Sequence, residues 1–271
     1  MPTLVSQVFR VKRLIYGRQA VRRTQVYCVG TAKSGTHSIW AMFSRNVRAA
    51  HEPQSLQLIE KYFDHQAGRI SQDQLREWVL MRDQSLALEV DSSWFNILML
   101  ELLVAEFPQA RFILTIRDCY SWLNSEFKRA LHAPSTRLLR VKLREHIYGN
   151  NGRPYAPEER VLQQAGLYPV DGYLARWAAH NEQVLSLVPS PRLLIVRTPE
   201  IRQQAQAIAD FAGLPRHSVR AERTHEYRNP QTRHIIRELD RNFLEPKVKQ
   251  HCQRLMNRFF PEIKSLDDAR L

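Results

Sequence analysis

Gln25-Val26-Tyr27-Cys28-Val29-Gly30-Thr31-Ala32-Lys33-Ser34-Gly35-Thr36-His37-Ser38 is the stretch whose reading decides the fold. Residues 25–30 (QVYCVG) hold an apolar run, Val26 to Val29, that ends on glycine, the pattern of a short buried strand. From 37 to about 47 the apolar spacing becomes helical. The loop between strand and helix holds two glycines, a lysine and several hydroxyls. Free backbone N–H groups and the helix dipole make such a junction attractive to phosphate.

The same alternation recurs down the chain. Residues 49–51 suit a second short strand, and 86–90 (LALEV) a third. Residues 111–116 (RFILTI) suit a fourth and 192–196 (RLLIV) a fifth. Helical patterns lie between them, over 55–66, 72–81, 95–106, 120–131 and 171–188, and a last one covers about 248–259. Pro199 opens a helix ending near Ala212, with Gly213 as its C-cap. Buried strands alternating with helices predict one α/β domain, P-loop-like, with a central, mostly parallel sheet of about five strands flanked by helices. Residues 133–170 break the rhythm with repeated Pro and Gly, which predicts a partly helical lid or acceptor-shaping insertion. The expected organisation is therefore a basic amphipathic segment over 1–24 and one domain over 25–271.

Composition narrows the function. The 271 residues are 44% hydrophobic and 25% charged, which excludes disordered and low-complexity classes. Formal charge is +13, and no acidic residue precedes Glu52. Such a balance suits an anionic ligand, nucleic acid or an acidic membrane surface. Val5, Val8, Val11 and Leu14 recur at helical spacing among Arg10, Lys12 and Arg13, which suits a helix packed on the domain or lying on anionic lipid. Cys28, Cys119 and Cys252 are far apart and form no metal-ligand or disulfide framework, so a reducing, cytoplasmic setting is expected.

Gly30 and Gly35 have the spacing of a nucleoside-triphosphate loop, but Thr36-His37 stands where that loop carries Lys-Ser/Thr. The lysine lies two residues before the second glycine instead. Lys33-Ser34-Gly35-Thr36 thereby resembles the 5′-phosphosulfate loop of PAPS-dependent sulfotransferases, with His37 in place of a second threonine and Ala32 where proline is common. After the fourth strand comes Arg117-Asp118-Cys119, and Ser125 stands eight residues beyond Arg117. That separation resembles the pair with which the same family reads the 3′-phosphate. Tyr173 to Trp177, the fifth strand and 211–215 (FAGLP) are similar to later family segments, so the resemblance spans about 25–230.

The resemblance implies transfer of a sulfuryl group from PAPS to a hydroxyl or amine of a carbohydrate, glycolipid or small metabolite, with no metal. It assigns Lys33, Ser34, Gly35, Thr36, His37, Ser38, Arg117 and Ser125 to the nucleotide, with Arg223 or Arg228 in a later loop. Lys33 would also stabilise charge on the leaving phosphate. One family branch takes its base after the second strand, and Glu52 occupies that place. His51 and Asp91 stand behind it as candidates. The competing readings are a P-loop-type small-molecule kinase and a non-enzymatic nucleic-acid-binding protein. The expected partners are PAPS and an acceptor, not nucleic acid, and the basic N-terminus offers peripheral contact with anionic membrane.

Overall fold

The computed structural model describes residues 22–132, 136–149, 154–225 and 232–271. The amphipathic N-terminal pattern and Arg228 lie outside them. Five strands form one sheet: β1 (Val26–Cys28), β2 (Ala49–His51), β3 (Val90–Ser92), β4 (Arg111–Ile116) and β5 (Leu193–Arg197). Their order is β2-β3-β1-β4-β5, and every pairing is parallel. The α/β expectation holds, and the sheet is parallel throughout.

Ten α-helices surround the sheet among the described residues: α1 (Thr36–Phe43), α2 (Ser55–Gln66), α3 (Gln72–Leu86), α4 (Leu100–Glu106), α5 (Cys119–His132), α6 (Leu138–Tyr148), α7 (Arg160–Gln164), α8 (Val170–Leu187), α9 (Ala205–Ala212) and α10 (Arg241–Phe259). None is long and apolar enough to cross a membrane. Period-2 alternation sorts the strand side chains onto two faces. Val26, Cys28, Val90, Ile113 and Val196 pack with Ile39 of α1 and Ile208 of α9. Tyr27, Val29, Phe112 and Leu114 pack with Leu58 of α2, Val79 of α3 and Val184 of α8. Both faces are covered, so β1 and residues 112–114 of β4 are apolar without alternation.

The third strand lies further along than 86–90. Helix α3 runs on through Leu86, and the chain turns at Ala87 with φ 46° before pairing over Val90–Ser92. Leu86 and Ala87 are good helix formers, and two of the three strand residues, Asp91 and Ser92, are polar and buried. Arg82 and Asn96 partner Asp91, and the Ser92 hydroxyl donates to the Thr36 carbonyl at 2.6 Å. An apolar-run criterion misses such a strand. The helix expected from residue 95 begins as a 3-10 turn, Trp94–Met99, capped by the Ser93 hydroxyl. The helix expected from Pro199 is a 3-10 turn, Thr198–Glu200, and α9 forms only from Ala205.

Because the chain leaves β1 toward β2 and β3 on one side and later returns as β4 on the other, the order reverses between β1 and β4. Ligands in open α/β sheets bind at the carboxyl ends of the strands beside such a reversal.

Candidate active site

Residues 30–35 leave the carboxyl end of β1 in that position. Gly30 packs so closely on β4 that a Cβ there would overlap Thr115 Oγ1 and its backbone oxygen. Gly35 has φ 113°, a conformation that side chains resist. The carbonyls of the loop are bound from the protein side. Trp122 Nε1 donates to Ala32 O at 2.7 Å, the Ser34 hydroxyl donates to Thr31 O at 2.7 Å, and the Thr198 hydroxyl lies against Ser34 O. Helix α1 starts at Thr36 with no side-chain cap on its first N–H groups. Those donors therefore remain for a ligand. The loop borders a cleft of about 720 Å³, with Lys33, Thr36, His37 and Ser38 in its wall. Ser34 is fully buried beneath, with Thr115 Oγ1 at 2.9 Å, and Ser38 donates to Thr224 O at 2.6 Å.

Lys33 holds φ 64°, which turns it out of the strand direction. Burial lowers its pKa below the usual lysine value, and Arg129 and Arg117 add to this while Glu126 opposes it. Arg117 follows β4, and Asp118 caps α5 by accepting from Ser121 N at 2.8 Å. The Ser121 hydroxyl bridges the two, accepting from Arg117 Nε at 2.8 Å and donating to Asp118. One edge of the guanidinium is thus fixed, and its Nη groups make no hydrogen bond among the described residues. Arg117 and Ser125 both line the cleft.

Glu52 lies past β2 at φ 50°, its N–H donating to Ser92 O at 3.0 Å. Burial raises its pKa, while Arg140, 3.7 Å away, and Arg129 pull it back. His51 also faces the cleft, its Nε2 3.5 Å from Thr36 Oγ1 and its ring 5.2 Å from that of His37. Burial, with His37 adding, lowers its pKa to about 4, so it is neutral at pH 7. Asp91 is not in the cleft wall. It is buried behind β3, where it accepts from Arg82 Nη2 at 2.9 Å and Asn96 Nδ2 at 3.2 Å.

The structure also brings to the cleft three arginines that the motifs did not single out: Arg129 on α5, and Arg140 and Arg144 on α6. Arg129 is ion-paired at 2.7 Å with fully buried Glu126. Burial opposes the Glu126 carboxylate, but Arg129, with Arg144 and Lys33, outweighs it and holds the group below its ordinary range. The i,i+4 spacing of Arg140 and Arg144 was the available signal, since it places both on one helix face. Nothing in the local sequence says that this face meets Glu52.

A cleft of this size, bordered by a helix N-terminus, a lysine, and an arginine whose Nη groups make no hydrogen bond among the described residues, fits a nucleotide carrying several anionic groups. The family model for the sulfotransferase domain matches residues 25–200. A sulfotransferase from Alicyclobacillus acidocaldarius superposes with a TM-score of 0.50 at 17% identity, covering 89% of this chain and 99% of that one. A sulfotransferase from Mycobacterium avium superposes with a TM-score of 0.51 at 14% identity, covering 95% of this chain and 82% of that one. At such identities the likeness is one of fold. No curated protein sequence matches this chain significantly.

Proposed function

Since the chain belongs to the sulfotransferase-domain family, we propose that it moves a sulfuryl group from PAPS to a hydroxyl or amine of an acceptor bound in the same cleft. This membership replaces the kinase and nucleic-acid readings. One observation carries the proposal: the uncapped start of α1, Lys33 and the Arg117/Ser125 pair border a single cleft at the carboxyl ends of β1 and β4.

The N–H groups of the loop and of α1 would take the phosphosulfate. Gly35 and Thr36 present backbone there, and the Thr36 and His37 side chains line the same wall. Ser34 serves from behind, since its hydroxyl is spent on Thr31 and Thr115. Ser38 ties α1 to Thr224 and so shapes the wall. The Nη groups of Arg117 and the hydroxyl of Ser125 would hold the 3′-phosphate.

In the reaction the acceptor oxygen or nitrogen attacks sulfur, and the bond from sulfur to the bridging phosphate oxygen breaks in line. Negative charge grows on that oxygen, and Lys33 stabilises it. The acceptor proton passes to the Glu52 carboxylate. His51 stands next to Glu52 as a neutral ring that can orient the acceptor. Asp91 supports from behind: Arg82, which binds it, also donates to Pro53 O at 3.0 Å and so braces the turn bearing Glu52.

Calorimetry with PAP and 5′-AMP tests the nucleotide assignment. PAP should bind in the micromolar range, about −8 kcal/mol, and far more tightly than AMP. Arg117→Ala should erase most of that preference. Equal affinity for the two nucleotides in the wild type would overturn the reading.

A further inference from the structure

The nucleotide reading uses Lys33, the start of α1, Arg117 and Ser125, and it leaves the positive wall of α6 without a function. Arg140 and Arg144 are one turn apart, and both border the cleft. Their neighbour Arg129 is neutralised by Glu126 at 2.7 Å. Arg140 is balanced only in part. Its Nη2 stands 3.7 Å from Glu52, beyond hydrogen-bond length, and donates instead to Ser55 Oγ at 2.9 Å. Arg144 has no carboxylate within ion-pair distance among the described residues, and its guanidinium lies 5.9 Å from the Tyr168 ring centre. The Nε atoms of both arginines are sealed from water and have no hydrogen-bond partner. The Nη atoms of Arg144 make no hydrogen bond among the described residues, and a guanidinium fork in a cleft wall is a natural partner for a carboxylate or phosphate.

We infer that Arg140 and Arg144 form a subsite for an anionic group on the acceptor, a carboxylate or a phosphate or sulfate ester, close to the hydroxyl or amine that Glu52 deprotonates. The inference rests on the proposed function and deepens it by naming the acceptor class. The 3.7 Å approach of Arg140 to Glu52 sets the spacing. An acceptor whose anion sits on the arginines carries its nucleophile to the carboxylate without meeting it charge to charge. A neutral acceptor would leave Arg144 without an anion and Arg140 only partly balanced, which is how a polar site rejects the wrong ligand.

Inorganic phosphate is the first probe, titrated by calorimetry into protein saturated with PAP so that the nucleotide site is closed to it. Millimolar binding to the wild type is expected, weakened at least tenfold in Arg144→Gln and largely kept in Arg144→Lys, while PAP affinity is unchanged in both. Matched acceptors follow in a PAPS turnover assay, glucuronate against glucose and glucose 6-phosphate against glucose. The charged member should have the higher kcat/KM by at least tenfold, and Arg140→Gln with Arg144→Gln should erase that ratio. No phosphate binding, equal binding by Arg144→Gln, or a ratio near one overturns the subsite. A tenfold loss of PAP affinity in Arg144→Gln assigns the arginine to the nucleotide and also overturns it. Failure of the wild type to bind PAP refutes the nucleotide reading instead, and phosphate titrated into the free protein and into Arg144→Gln still decides the subsite.

Discussion

Four non-glycine residues hold positive φ among the described residues, and three of them, Lys33, Glu52 and Gln54, stand in the two loops that supply the proposed chemistry. Left-handed backbone is unfavourable for a side chain and persists where surrounding structure imposes it. Here it aims an ammonium and a carboxylate into one cleft. Glu52→Gln keeps the shape and removes the proton acceptor, so kcat should fall by about 10²–10⁴-fold with PAP affinity unchanged. Turnover beside calorimetry checks this, and a near-wild-type kcat would remove Glu52 as the base. Burial raises the Glu52 pKa, so the acid limb of the kcat/KM profile should lie above 4.5. Arg140 opposes that rise, so Arg140→Gln should move the limb to still higher pH. Lys33→Ala should leave the fold intact and lower turnover by about 10²-fold, as loss of a charge contact to the leaving group does. Single-turnover measurements isolate that step, and wild-type rates would make Lys33 a surface charge.

The element-scale question is how the β2–α2 turn is held against β3. Arg82 of α3 answers it by joining Asp91 on β3 to Pro53 O in the turn. The side chains of Arg82 and Asp91 are each 5% exposed. Removing one charge of a buried pair strands the other and costs about 3–5 kcal/mol. Asp91→Asn should therefore lower stability by roughly that amount, read as a shift in the urea midpoint. Turnover should fall less than in Glu52→Gln, because the change acts on the turn and not on the reacting atoms. An unchanged midpoint would mean that the pair is not what braces the turn. The misplacement of the third strand belongs to the same scale. Asp91 and Ser92 are strand residues only because Arg82, Asn96 and the Thr36 carbonyl meet them from other elements, and no window of local sequence contains those partners. The fourth strand was legible to the residue because all of 112–116 is buried and five of its six residues are apolar or β-branched.

Across the whole molecule, α8 joins the cluster on one sheet face, through Val184, to a second core of Tyr173, Leu174 and Trp177, and carries a buried histidine into the centre. His180 Nε2 donates to Val29 O at 2.7 Å, and Arg176 Nη2 faces Nδ1 at 3.3 Å. This fixes the neutral Nε2–H form, and burial with the nearby Arg176 lowers the pKa to about 3. His51 is lowered to about 4. Unfolded histidines take up protons near pH 6.5 while these two do not, so their contribution to stability falls as pH drops from about 6.5 toward 4, and Glu52, whose pKa burial raises, acts in the opposite sense. Carboxylates held low, such as Glu89 at about 2, lose stability only below about 4.5. Urea midpoints at pH 7, 5.5 and 4.8 separate the two ranges. His180→Gln, which keeps a donor for Val29 O, should flatten the upper one. An equal slope in that variant would place the pH sensitivity elsewhere.

Local sequence determined the alternation of strands and helices, the parallel class of the sheet and the phosphate-type loop at Lys33-Ser34-Gly35-Thr36. Those features follow from hydrophobic period, glycine placement and residue type, which neighbours in the chain carry between them. Arg117 and Ser125 were legible for the same reason, since Ser125 follows Arg117 by eight residues in one continuous strand-to-helix stretch. Only the tertiary structure decided that Glu52 and His51 share a cleft with that loop while Asp91 turns away behind β3. Only it set the α6 arginines beside Glu52, which is 88 residues from Arg140 by number and 3.7 Å from it in space. Charge balance and desolvation depend on distance through space, so which cation stands beside which carboxylate is a property of the folded chain alone.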